Sequence, residues 1–309
     1  MADSDRTASL MSPRKLAQMK PAAPPTPAAW LDRMAADAGH QHAARLGELA
    51  PVISRQCGGF DLEPVESQLG RLAIALPELD FALLERLGWW DRTRGKGRSS
   101  GAEFGAQFER IDVAARSLDA LAQPLGGMAR GESALLERAL VELEVEAAAI
   151  EKIIDQGTRW LHDMRNQLKL RQAGAADVQA QQAVLEDSQR CDILVARLKL
   201  LRGLCDAAAQ ALEETRALAR WRGVLAQALQ QDLVAQVEAW RDRVGPLAAT
   251  AGAGAGAGPA LGHEGPSGAH EELVIGVRKA LADCEQVQAR HQTLARCLAL
   301  LTAGNLAPG

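Results

Sequence analysis

Residues 136–168 read LERALVELEVEAAAIEKIIDQGTRWLHDMRNQL, and their apolar positions decide the fold. Leu136, Leu140, Leu143, Ala147, Ile150, Ile154, Gly157, Leu161, Met164 and Leu168 alternate four and three residues apart without a break. This is a heptad seam through about four and a half repeats, the pattern of a long helix packed along another. Ala147 and Gly157 are its small members, so a close helix approach is expected there, at some cost in helix propensity for Gly157. The helix should stop near Gly174.

The same spacing recurs on both sides. A second pattern opens near Asp177, carries Leu194, Leu198, Leu201, Cys205, Ala208 and Leu212, drifts around Arg220 to Gly223, and resumes at Leu233, Val237, Trp240, Val244 and Leu247. The drift implies a seam rotating to a new partner or a local bend, because an unbroken helix over 177–247 would run roughly 105 Å. A third seam holds Leu273, Val277, Ala280, Cys284, Val287, His291, Leu294, Leu298 and Leu301. The first and third helices together match the second in length, and short connections make sequential helices antiparallel. The expected fold is therefore all-α: an elongated antiparallel bundle of long heptad-patterned helices with a small N-terminal helical region.

Composition agrees. Of 309 residues, 47% are hydrophobic but only 3% aromatic, with no Tyr and four Phe. Strands favour β-branched and aromatic residues, so a sheet would lack its usual material. Residues 1–27 are proline-rich without apolar period and read as a disordered tail. Residues 28–90 form the small N-terminal region, with a first helical patch from Trp30 interrupted at Pro51 and at Cys57 to Gly59, and two short helices separated by Pro77. A basic, glycine-rich linker is assigned to 91–102, the long-helix bundle to 103–248, an Ala/Gly linker to 249–268 and the last helix to 269–303. Pro124, Gly126 and Gly127 should end or kink the helix that begins near Glu103.

Candidate chemistry is sparse. The five cysteines, Cys57, Cys191, Cys205, Cys284 and Cys297, form no C-x-x-C pair, which argues against a disulfide framework and a zinc site. Cys205 and Cys284 sit on seams and read as inert packing residues, whereas Cys57, in a glycine turn, is expected to be exposed. His291 lies on a seam, His162 follows Trp160, and His40 and His42 fall on different helix faces, so no metal set is expected. Glu142, Glu144, Glu146 and Glu151 read as a solvated face or as pairing positions beside the seam. No cofactor and no catalytic residue is assigned. No secretory signal and no run of 18 to 20 apolar residues is visible, and a cytoplasmic location is expected. A net charge of -4 argues against binding nucleic acid.

One segment has an interaction reading. Trp89 and Trp90 precede Arg92, Arg94, Lys96 and Arg98 in a glycine-rich loop that could touch an acidic partner or a phospholipid surface. The competing reading is a solvated connector whose tryptophans pack inward, and it is favoured because no sustained basic amphipathic helix accompanies the four charges.

Phe108, Glu109, Arg110, Ile111 and Asp112, then Leu118 and Leu121, lead to Gly131, Leu135 and Leu136. An Ile-Asp pair on one helix and a Gly-x-x-x-Leu opening the next resemble the toxic-anion (tellurite) resistance protein family of the TelA kind. Arg190, Asp192, Leu194 and Arg197 add a fainter likeness. Where that family commonly has an Asp-Asn pair shortly after Gly-x-x-x-Leu, this chain has Arg138 and Ala139. The resemblance implies a non-enzymatic helical protein acting in stress resistance through protein partners. The heptads alone support an alternative, a structural coiled-coil scaffold or homo-oligomerisation module with no stress role.

Overall fold

The computed structural model describes residues 38–58, 61–85, 96–129, 134–175, 177–252 and 264–306. In chain order these contain α1 (His40–Cys57), α2 (Glu63–Ala75), a 3-10 turn (Leu76–Glu78), α3 (Ala82–Glu85), α4 (Lys96–Ala129) and α5 (Ala134–Gly174). There follow α6 (Val178–Gln227), a π turn (Ala228–Leu233), α7 (Val234–Gly252) and α8 (Glu264–Leu306). No strand occurs among the described residues, and the protein is an all-α helical bundle. The disordered tail expected at 1–27 lies outside them.

The seams behave as their spacing requires. On α5 every seam residue is buried except Leu136 and Ala147, which are half-buried. On α8 every one is buried except half-buried His291. Asp177 starts α6, its carboxylate accepting the Ala180 N–H at 2.6 Å, which satisfies one of the orphan donors of the first turn.

Two compact units result, one from Met1–Arg45, Glu146–Cys205 and Gly304–Gly309, the other from Leu46–Val145 and Asp206–Ala303. In the first, α5 and α6 are antiparallel: Gly157 faces Leu198 and Arg171 pairs with Asp187. A Cβ on Gly157 would sit 2.9 Å from Leu198 Cδ2, so the small seam residue does permit close approach. In the second unit α4 lies antiparallel to α7, with Gly101 against Ala251, Gly105 against Ala248 and Phe108 stacked on Trp240 at 4.7 Å. There α8 runs antiparallel to 206–252, with Gly276 against Gln236 and Arg290 bonded to Glu214 at 3.1 Å.

Several boundaries differ from expectation, each for a packing reason. The region assigned to 28–90 is not set apart, because residues 46–85 belong to the same unit as 206–303. Pro51 does not interrupt α1. An interior proline costs about 3 kcal/mol, but Leu46, Leu49 and Ile53 are fully or nearly fully buried, and about 2 kcal/mol for each outweighs it. The segment 91–102 is not all linker, since α4 begins at Lys96 and continues past Pro124 to Ala129. Gly101 is a contact glycine rather than a loop glycine. The Ala/Gly linker of 249–268 is likewise helical at both ends, α7 reaching Gly252 and α8 starting at Glu264. Pro266 falls in the first turn of α8, where its missing N–H breaks no bond.

The drift read at Arg220 to Gly223 lies within α6 itself. Thr215, Ala226, Leu229 and Leu233 continue the alternation from Leu212 and are buried. The real phase change is at the π turn, where Leu229, Leu233 and Val237 follow at intervals of four and four instead of three and four. A π turn takes up one more residue per turn than an α turn, so the extra residue leaves the apolar face aligned.

Gly101 and Gly203 separate close contact from mere helix membership. A Cβ at 101 would lie 2.3 Å from the Ala251 carbonyl oxygen, whereas one at 203 would meet nothing within 4 Å. In urea unfolding, Gly101→Ala should destabilise by about 1–3 kcal/mol through overpacking, while Gly203→Ala should stabilise by up to about 1 kcal/mol.

Candidate functional site

Among the described residues, each unit holds a buried carboxylate set between two guanidiniums. Asp187 on α6, its side chain 8% exposed, takes Arg171 Nη1 of α5 at 3.0 Å on one oxygen and Arg190 Nη1 at 3.1 Å on the other. Asp112 on α4 is more enclosed, at 3%. One oxygen accepts from Arg116 one turn later on the same helix, the other from Arg241 Nε on α7. Arg241 Nη2 also reaches the Asp112 backbone carbonyl at 3.4 Å. A buried anion is tolerated only when neutralised and hydrogen-bonded, so each pair fixes the register of the two helices it joins.

The Asp112 cluster lies beside the π turn. Between α4 and the turn is a cavity of about 130 Å³ with Ala115, Leu118, Leu229, Leu233 and Val237 on its walls and Arg116, Glu238 and Arg241 at its polar side. A π turn is wider than the α-helix around it, and such turns occur frequently at functional sites. A second depression, lined by Asp232, Gln236, Gly276 and Lys279, lies against the same turn where it meets α8.

Asp112 and Ile111 belong to the Ile-Asp pair of the family resemblance, and Ile111 is buried. Phe108 stacks on Trp240, and Arg110 pairs with Glu78 at 3.4 Å. Of the fainter set, Leu194 is buried, Asp192 is exposed, Arg190 holds Asp187, and Arg197 Nε donates to the Ala38 carbonyl at 3.2 Å. The basic loop is a different matter. Trp89, Trp90, Arg92 and Arg94 lie outside the described residues, and Lys96 and Arg98 are described only along the backbone of the first turn of α4.

All five thiols are free and buried. Cys57, expected to be exposed, is 3% accessible, because α1 carries it to the inner end of an apolar face where Arg222 donates to its carbonyl. Arg222 occupies a seam position, and this is why the sequence looked broken there. Burial raises the Cys57, Cys191 and Cys297 thiols above their usual range. Cys284 is pushed up to about 12, first by burial and then by the charges of Glu66, Asp283 and Glu285. Thiolate formation, the condition for nucleophilic or redox chemistry, is suppressed at each of these four.

Two members of the acidic run, Glu144 and Glu146, make ion-pair or hydrogen-bond contacts. His42 Nδ1 lies 2.6 Å from Glu146 Oε2, His162 is exposed, and Glu144 meets Arg216 at 3.5 Å on the surface. His270 is buried edge-on to Phe81 and burial lowers its pKa, while His291 is lowered by burial and by the nearby Arg222. Among the described residues no group of three or more His, Cys, Asp or Glu could hold a metal ion, and no helix is long and apolar enough to cross a membrane.

No protein-family model, no curated protein and no solved structure matches this chain.

The Asp112 cluster and the thiols each give a direct check. Asp112→Ala should lower the unfolding free energy by about 2–3 kcal/mol, below the full cost of breaking a buried pair because Arg241 is 31% exposed and can rehydrate. Arg116→Ala should cost less than about 1 kcal/mol, since its side chain is 65% exposed. With a chromogenic disulfide reagent at neutral pH, the native protein should react slowly, all five thiols reacting rapidly only after unfolding.

Proposed function

We propose that this chain is a non-enzymatic cytoplasmic protein that acts in tellurite or envelope stress resistance by binding other proteins, as its resemblance to toxic-anion resistance proteins implies. The observation that carries the reading is a division of labour among residue types. The five thiols are buried in the packing, while large apolar side chains stand exposed on long helices. Val141 and Val145 on α5 are 58% and 60% exposed, and Val178, Leu185 and Ile193 on α6 are 83%, 52% and 58% exposed. The last three are seven and eight residues apart and so share one side of α6, the arrangement of a helix face offered to a partner.

That same face favours a second reading, self-association as a coiled-coil scaffold, because heptad-like apolar stripes are satisfied by a second copy as well as by a different protein.

Deleting the gene should lower the tellurite concentration at which growth stops, and a copy with all five cysteines replaced by alanine should restore it. Unchanged sensitivity in the deletion, with expression of the intact protein confirmed beforehand, would overturn the stress role. Sedimentation equilibrium of the purified protein separates the readings further: a stable homo-oligomer supports the scaffold, a monomer the partner-binding protein.

A further inference from the structure

The cavity beside the π turn combines an apolar wall with an open, charged edge. Its walls are the side chains of Ala115, Leu118, Leu229, Leu233 and Val237, and its volume is about 130 Å³. A hydrocarbon group laid against these side chains removes apolar surface from water, which favours its entry. A hydrated inorganic oxyanion would have to shed its water against these walls without receiving donors in return, which disfavours it inside.

The polar side supplies a head-group site. Arg116 and Arg241 carry two positive charges and share one buried carboxylate, Asp112. With Glu238 on the rim the charges balance, so an anionic head would be held by the unused guanidinium N–H groups rather than by net charge. Arg241 uses Nε on the carboxylate and Nη2 on the Asp112 carbonyl, and Arg116 uses Nη2. Each guanidinium has five N–H donors, so donors are left over on both, and the more exposed Arg116 lies at the outer edge. Glu238, exposed and three residues before Arg241 on the same helix, sets a negative charge beside them.

We infer that this cavity binds a small carboxylate with a branched hydrocarbon tail of about four to six carbons, the tail among the leucines and the head on Arg116 and Arg241. Two sources share that chemistry. A short branched fatty acid would use the arginines alone, whereas an apolar α-amino acid would also place its ammonium on Glu238. The site stands apart from the stress role proposed above and does not depend on it.

Isothermal titration calorimetry on the full chain tests it with 4-methylpentanoate, leucine and the uncharged 4-methylpentanamide. At least one carboxylate should bind with a dissociation constant on the order of 1 mM, and the amide at least about tenfold more weakly, since a hydrogen bond to a charged group is lost. Ala115→Leu, which fills the cavity, should abolish binding. Arg116→Gln, at an exposed position, should weaken it about tenfold with the melting temperature nearly unchanged. Leucine binding more tightly than the acid, with the difference removed in Glu238→Gln, assigns the amino acid; equal or weaker binding of leucine assigns the fatty acid. No binding of either carboxylate by the folded protein, equal binding of the amide, or unaltered affinity in both Ala115→Leu and Arg116→Gln overturns the inference.

Discussion

A straight α-helix cannot hold a heptad seam in line for long, because the apolar stripe drifts by about 20° in every seven residues. The run from Val178 to Gly252 meets this constraint. The correction is a single inserted residue, absorbed by a π turn that leaves Leu229, Leu233 and Val237 all buried. Within the second unit the pairing of α7 with α4 and α8 follows from that correction. Without it the indole of Trp240, fully buried and stacked on Phe108, would be turned away from the ring it covers. The local price is looser packing, and the cavities on either side of the turn are its visible form.

The buried carboxylates complement the seams. Leucine side chains fix which face is inside but tolerate a slip along the axis, since one leucine layer resembles the next. A single Asp held by one arginine on its own helix and one on the neighbour does not tolerate it, because a slipped partner would leave a charge buried and unpaired. Asp187 performs this service for the α5–α6 pair and Asp112 for the α4–α7 pair. Apolar burial and charge pairing thus divide the specification, the first choosing the face and the second the register.

The parts legible in the sequence were those with a local period. The seams of α5 and α8 could be read residue by residue, and the close approach at Gly157 with them. Gly101 was misread because alanine and glycine serve both linkers and tight helix contacts, and only the neighbouring backbone of Ala251 distinguishes the two. Cys57 was misread because it closes a helix whose last turn faces inward, rather than lying in the turn that follows. The Asp112 cluster was half visible. Arg116 is one turn away, but Arg241 is 129 residues further along, and no local pattern connects the two. The phase change was sought at Arg222, where a polar residue occupies the seam, rather than at the π turn, whose only mark is two successive intervals of four.

The enclosed cysteines have a consequence for the life of the molecule after folding. They are distributed along the chain from α1 to α8, and none is joined to another. A disulfide formed while the chain is open would add a crosslink that the native packing lacks, and would hinder the seams from closing over it. In an oxidising solution, each excursion to the open state therefore acts as a ratchet, converting a reversible equilibrium into a slow one-way loss governed by the unfolding rate.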